Sequence, residues 1–188
     1  MPGPIVEAGD DLVLRTVERE DAEFVQRLFA DPWARVGFQE HGHKNHAEVE
    51  ELLEGDLEER DTAAYLACVD DDDAPWGHPE EDETTPVAFV AVTHVDRDRP
   101  GVNHWVAPAF RGEGYGVEAL SLAVDTVLRT YDPNTIGVEV VAGDEATREH
   151  VEAVGFVEEG RNREVLFVEG EYRDVYQYGL LHEEWEGR

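Results

Sequence analysis

A strand feeds through a short turn into a glycine-rich hexapeptide and then directly into an amphipathic helix. This stretch, Val102 to Leu122 (VNHWVAPAFRGEGYGVEALSL), constrains the chain more than any other. Val102 to Val106 reads as the strand, Ala107 to Phe110 as the turn, and Arg111-Gly112-Glu113-Gly114-Tyr115-Gly116 as the approach to a helix ending near Tyr131. Val117, Leu120, Val124, Val127 and Leu128 form an apolar stripe on that helix, which must therefore lie on a core. The first backbone N–H groups of a helix lack partners within it and point along the positive end of its dipole. Glycines clear side chains from those groups, and Arg111 adds a planar cationic fork. The pattern suits a diphosphate. The other reading of the pattern is a glycine turn that only starts a helix. The dinucleotide fingerprint needs G-x-G-x-x-G, whereas this segment reads G-x-G-x-G, and no P-loop lysine follows.

The chain has 188 residues, of which 45 are acidic and 15 are Lys or Arg, for a formal charge of −30. A phosphate-backbone binder needs a cationic surface, so nucleic acid is not an expected partner. No apolar run approaches the roughly 20 residues of a membrane span, and the opening MPGPIVEAGDD leads us to expect no secretory leader. The single cysteine, Cys68, excludes an internal disulfide framework. Hydrophobic residues make up 41% of the chain, enough for a core, which places the acid excess at the surface. Lys44 is the only lysine. Such a surface repels itself at low salt, and we expect a cytoplasmic protein of a high-salt cell.

The remaining elements alternate in class. Leu12–Val17 reads as a first strand and Asp21–Ala30 as a helix. Asn45, with Glu48 three residues on, caps a second helix carrying Val49, Leu52, Leu53 and Leu57. Strands follow at Ala63–Val69, Val87–Val95, Val102–Val106 and Ile136–Val141, a short helix at Thr147–Val154, and a closing hairpin at Glu164–Val168 and Tyr172–Leu181. The segment 70–85, DDDDAPWGHPEEDETT, is an acidic loop. The expectation is one mixed α/β domain over residues 1–188, with too few βαβ units for a fully parallel sheet.

Arg111 to Gly116 resembles the Q/R-x-x-G-x-G/A motif of the GNAT superfamily of acetyltransferases. His104-Trp105-Val106-Ala107-Pro108, Phe110 to Gly116 and Glu118-Ala119-Leu120 are similar to the branch that acetylates ribosomal-protein N-termini, as are Asp144-Glu145-Ala146-Thr147 with Gly155-Phe156 and the ending from Gly170 through Trp185. Asp144 stands where that branch has Asn, and Thr147 where it has Ser. The resemblance implies a mostly antiparallel central sheet, flanked by helices and splayed at the cofactor site. It implies acetyl-CoA in the opening and no metal. Trp105, Val106 and Ala107 would border the pantetheine arm, with backbone groups of Val106 and Ala107 bonding it like an added strand. Arg111, Gly112, Glu113, Gly114, Tyr115 and Gly116 would cradle the pyrophosphate, with Asp144 and Thr147 nearby. The acceptor would be an amine, a peptide N-terminus or a small molecule, attacking the thioester directly. A GNAT-like module that holds acyl-CoA without catalysis is the alternative.

For proton transfer the candidates are His104, a titratable group near neutrality on the cleft strand, and Asp144, which could equally be a helix cap. Tyr176 and Tyr178 could face the cleft or simply pack. Trp33, Phe38 and His41 lie where the resemblance puts the acceptor. The cluster His41, His43, His46 lacks a carboxylate or cysteine partner at metal-ligand spacing. Cys68 reads as a small buried residue. Apolar residues of the closing hairpin could pair two protomers.

Overall fold

The computed structural model describes every residue except 39, 41, 59–60, 81, 186 and 188, with side chains at 56–58 also left aside. Candidate His41 and the Leu57 side chain therefore fall outside the described residues. The strands are β1 (Ile5–Ala8), β2 (Val13–Thr16), β3 (Thr62–Asp70), β4 (Thr84–Thr93), β5 (Gly101–Val106), β6 (Thr135–Val141), β7 (Val157–Val168) and β8 (Glu171–Leu181). The helices are α1 (Ala22–Ala30), α2 (Pro32–Gly37), α3 (His46–Glu58), α4 (Tyr115–Tyr131) and α5 (Glu145–Val154). One eight-stranded sheet runs β1-β2-β3-β4-β5-β6-β8-β7.

Its pairings are antiparallel except for β5 with β6, which run parallel and meet at a single register pair, Gly101 and Gly137. Beyond that pair each strand keeps only its outer neighbour. β5 stays on β4 through Val106, and β6 stays on β8 through Val141. The sheet therefore opens into a V at its centre.

Period-two alternation sends alternate side chains of each strand to opposite faces. On one face Val102, Val106, Ile136, Val138 and Val140 pack against Leu120, Val124 and Val127 of α4 and Val151 of α5. On the other, Leu66, Phe89 and Trp105 pack against Phe24, Val25 and Leu28 of α1 and Val49 and Leu53 of α3. The α3 cap forms as its residues require: Asn45 Oδ1 accepts from Glu48 N–H at 3.1 Å, and Glu48 Oε2 accepts from Asn45 N–H at 2.7 Å.

Four expectations need correction. Leu12–Val17 is not the first strand, because the four-residue β1 precedes it. The helix capped by Asn45 is the third and not the second, because the six-residue α2 precedes it. The closing hairpin is longer on its first arm, since β7 begins at Val157. The acidic segment also gives up its ends, Asp70 and Thr84–Thr85, to the β3–β4 ladder.

Candidate functional site

The V between β5 and β6 is the floor of a cavity of 640 Å³, within the usual size of small-ligand sites. Helices α4 and α5 wall it on one side and α2 on the other. Asn103 to Val106, Val138, Glu139, Val141, Gly112, Gly114 and Gly116 contribute to its lining.

The exposed edge of β5 follows from its ladder. Ala107 donates its N–H to Val87 O at 2.9 Å and accepts from Phe110 N–H at its carbonyl, also at 2.9 Å. Successive strand N–H groups point to opposite edges, so Val106 N–H faces the opening. Val106 O accepts from Arg111 Nε at 3.0 Å. Both backbone groups of Ala107 are thus committed within the protein. Trp105 sends its indole to the α1 face, with its ring centroid 5.7 Å from that of Phe24.

The glycine loop stands at the mouth. Gly112 and Gly114 have φ of +90° and +89°, which disfavours any side-chain-bearing residue. A Cβ at either would find nothing within 4 Å, so both present bare backbone. Gly114 begins α4 without a side-chain cap, leaving the first N–H groups of a 17-residue helix directed at the loop. Arg111 is held by Asp31, Nη2 to Oδ2 at 2.6 Å, and its guanidinium remains half exposed. Glu113 is exposed, and Tyr115 packs partly against the core.

The candidates for proton transfer separate by face. His104 shares the face of Val102 and Val106, toward α4. Its Nε2 lies 2.8 Å from Nδ1 of His150 on α5, so one ring donates to the other. Burial, and then His150, push His104 down to about 3, keeping it neutral near pH 7. His150 is lowered by burial, with Asp144 and Glu149 opposing and Arg111 assisting. Its ring lies against Gly116, where a Cβ would come within 2.2 Å. Asp144 caps α5. Oδ1 accepts from Thr147 N–H at 3.1 Å, and Oδ2 accepts from Thr147 Oγ1 at 2.8 Å.

On the α2 side, Glu139 of β6 lines the cavity and accepts from Gln177 Nε2 at 2.9 Å. Glu139 and His150 were missed from sequence. Glu139 was one acid in an alternating strand, and His150 gains its neighbours only through the fold. Trp33 and Phe38 both line the α2 wall. Trp33 lies where a Cβ on Gly143 would come within 2.9 Å of its ring, and Phe38 packs on Phe89 at 5.7 Å.

The other candidates lie elsewhere. Tyr178 is buried and donates to Glu152 Oε1 at 2.9 Å, and Tyr176 lies under the Arg148 guanidinium at 4.4 Å. Burial pushes the Cys68 thiol up to about 12, far from a nucleophile. His43 Nδ1 contacts Arg35 at 2.7 Å and His46 pairs with Glu50. Among the described residues no three His, Cys, Asp or Glu side chains converge as a metal set.

A family profile described as an acetyltransferase (GNAT) domain matches residues 11–157. YdaF of Bacillus subtilis, provisionally named a ribosomal N-acetyltransferase, is 33% identical over 86 residues. That match covers 46% of this chain and 47% of YdaF, so it spans about half the length of that relative. The ribosomal protein uS5 alanine N-acetyltransferase of Escherichia coli is 23% identical, covering 94% of this chain and 90% of its own. Among solved structures, spermidine N-acetyltransferase from Vibrio cholerae in complex with CoA and spermine superposes with a TM-score of 0.79. It is 21% identical, covering 94% of this chain and 98% of that one.

Proposed function

Because the chain belongs to the GNAT acetyltransferase family, we propose that it transfers the acetyl group of acetyl-CoA directly to an amine. The observation that carries this is the parting of β5 from β6 with the bare glycine loop at its mouth. Acetyl-CoA supplies an activated acyl group as a thioester. Gly112 to Gly116 offer backbone N–H groups to its diphosphate, with Arg111 alongside. Val106 N–H serves the pantetheine arm in the manner of an added strand. Ala107, its backbone groups already used, contributes only its position. Asp144 and Thr147 hold the start of α5 beside the arm.

The amine enters from the α2 side, between Trp33, Phe38 and Glu139. Glu139 receives the amine proton, directly or through a water, while His104 stays neutral on the opposite face. The C–S bond breaks as the amide forms, and CoA leaves as a thiolate that takes its proton from water. Holding the two reactants in register is the largest contribution, up to about 7–11 kcal/mol in well-oriented cases. Glu139→Gln is expected to lower kcat by about 10²–10⁴-fold with acetyl-CoA affinity retained. A peptide N-terminal amine is the acceptor we favour, on the resemblance to the ribosomal-protein branch, and the setting is a salt-rich cytoplasm, on the acid excess.

Calorimetric titration of acetyl-CoA in multimolar KCl, followed by thiol release with an alanine-initiated tripeptide and with spermidine, tests the proposal. Saturable binding with release by the tripeptide is expected. Release by spermidine alone would replace the acceptor. Binding without release for any amine would favour an inactive acyl-CoA module, and no binding by folded protein would overturn the reading.

A further inference from the structure

We propose that Asp31 is a positioning residue that couples the two substrate sites, one carboxylate holding both the acceptor wall and the cofactor loop. The inference rests on the acetyltransferase reading for which substrate occupies which side. Oδ1 of Asp31 accepts from Trp33 N–H at 3.0 Å and Ala34 N–H at 3.4 Å, closing the start of α2. Oδ2 accepts from Arg111 Nη2 at 2.6 Å and Trp105 Nε1 at 3.4 Å. Arg111 in turn bonds Val106 O on the open strand. A single side chain therefore joins α2, β5 and the first residue of the glycine loop.

Helix α2 is anchored from its surface rather than by a buried face. None of its residues is buried, whereas α1 buries five. Its other ties lie at the surface or the core edge: Trp33 on Gly143 and under the Arg173 guanidinium at 5.8 Å, Ala34 against the α1 core, Arg35 Nη1 to Phe29 O at 2.9 Å and to His43 at 2.7 Å, and the following Phe38 on Phe89. The ion pair is also unequal. The Arg111 side chain is 49% exposed and that of Asp31 is 16% exposed. The arginine is the partner a diphosphate can reach, and the aspartate is the one seated under a helix end. Burial alone would raise the Asp31 carboxyl, but Arg111 and the two N–H groups outweigh it and hold it below the usual range.

A diphosphate at the loop sets a second anion beside the same guanidinium. That fixes Arg111, and through Asp31 it fixes the α2 wall where the amine binds. Coupling of this kind is reciprocal, so the amine strengthens the cofactor by the same factor.

The test is calorimetric. The affinity of the alanine-initiated tripeptide, or of spermidine if that is the amine acetylated, is measured with and without saturating CoA, which permits no turnover. The parent is expected to gain about tenfold, within the usual range of coupling. Asp31→Ser keeps a capping oxygen but removes the ion pair. It is expected to melt near the parent temperature, bind CoA, and show a ratio close to one. Asp31→Asn is the second variant should the serine not fold. Arg111→Gln should abolish the same ratio, with nothing further lost in the double variant. A parent ratio of one, or a parent-like ratio in a folded Asp31 variant, overturns the coupling while leaving the acetyltransferase reading intact. Failure of the parent to bind CoA at all overturns both.

Discussion

Arg15 is fully buried, and all five of its N–H groups have partners. Nε and Nη2 bond Asp70, the latter to Oδ2 at 2.5 Å, while the carbonyls of Gly3, Gly77 and Pro75 take the rest between 2.8 and 3.0 Å. Thr84 Oγ1 completes the Asp70 carboxylate at 2.6 Å. The pair pins the acidic β3–β4 segment to the sheet. Arg15→Met would strand Asp70, and loss of one partner of a buried pair costs about 3–5 kcal/mol. Denaturant unfolding should show that loss, with partial recovery in Arg15→Met/Asp70→Asn and earlier protease cleavage in the segment. None of this was legible in LVLRTV, because every partner except Gly3 lies 55 or more residues away. His104 gives a second residue-scale expectation. Its folded pKa, about 3, lies below the unfolded value near 6.5, so the unfolded chain takes up the proton first. The associated stability is complete above about pH 6.5 and is lost as pH falls toward 3, by up to roughly 1.4 kcal/mol per pH unit. Protonating surface carboxylates relieves repulsion and acts oppositely, so the parent must be compared with His104→Phe. The stability difference should move in favour of the variant between pH 7 and 5. A constant difference would exclude the histidine as its source.

At the scale of elements, segments with a strong period and a local terminator were readable. α4 carries its stripe and its glycine start, and α3 its Asn45–Glu48 box. β5 and β6 fall within a residue of their expected bounds, and the opening of the sheet beside β5 followed from the family resemblance carried by the motif after it. The misses are short or depend on distant partners. β1 has four residues and an exposed alternate face. α2 was signalled by Asp31 at its cap and Pro32 at its first position, a pairing that favours a helix start, but six residues show no period. The site residues followed the same division. The Arg111 to Gly116 loop is contiguous and could be read, whereas Glu139, His150 and the Asp31–Arg111 bond arise only when separate elements meet. α5 shows where local pattern permits two meanings: Asp144 could be cap or catalyst, and both its oxygens are on Thr147. Asp144→Ala should cost about 1 kcal/mol in thermal unfolding, and Asp144→Asn should restore most of it, since asparagine caps as well as aspartate. Equal stability of the two variants would remove the cap from the account.

For the whole molecule the governing quantity is the charge of −30. Asp21 and Glu118 are the buried carboxylates among the described residues. Glu118 is satisfied by the N–H groups of Asp10, Asp11 and Leu12 between 2.7 and 3.2 Å. The remaining described acids reach solvent and repel one another. At 0.1 M salt that repulsion extends about 10 Å, and at 1 M only about 3 Å. Stability should therefore rise from 0.1 M to multimolar KCl. The cavity adds a sharper expectation, because among the described residues Asp31, Glu139, Asp144, Glu145 and Glu149 line it against one Lys or Arg, Arg111. A polyanionic thioester is repelled by that field at long range and held at short range by backbone N–H groups, which salt hardly screens. Its KM should fall as KCl rises, opposite to the usual weakening of phosphate ligands by salt. A cationic amine feels the same field as attraction, so its KM should rise over the same range. Steady-state kinetics with each substrate varied at 0.1, 0.5 and 2 M KCl would read both slopes. A KM for acetyl-CoA that climbs with salt would mean that Arg111 and the α4 N-terminus outweigh the surface, and the charge of the molecule would then bear on its solubility but not on its chemistry.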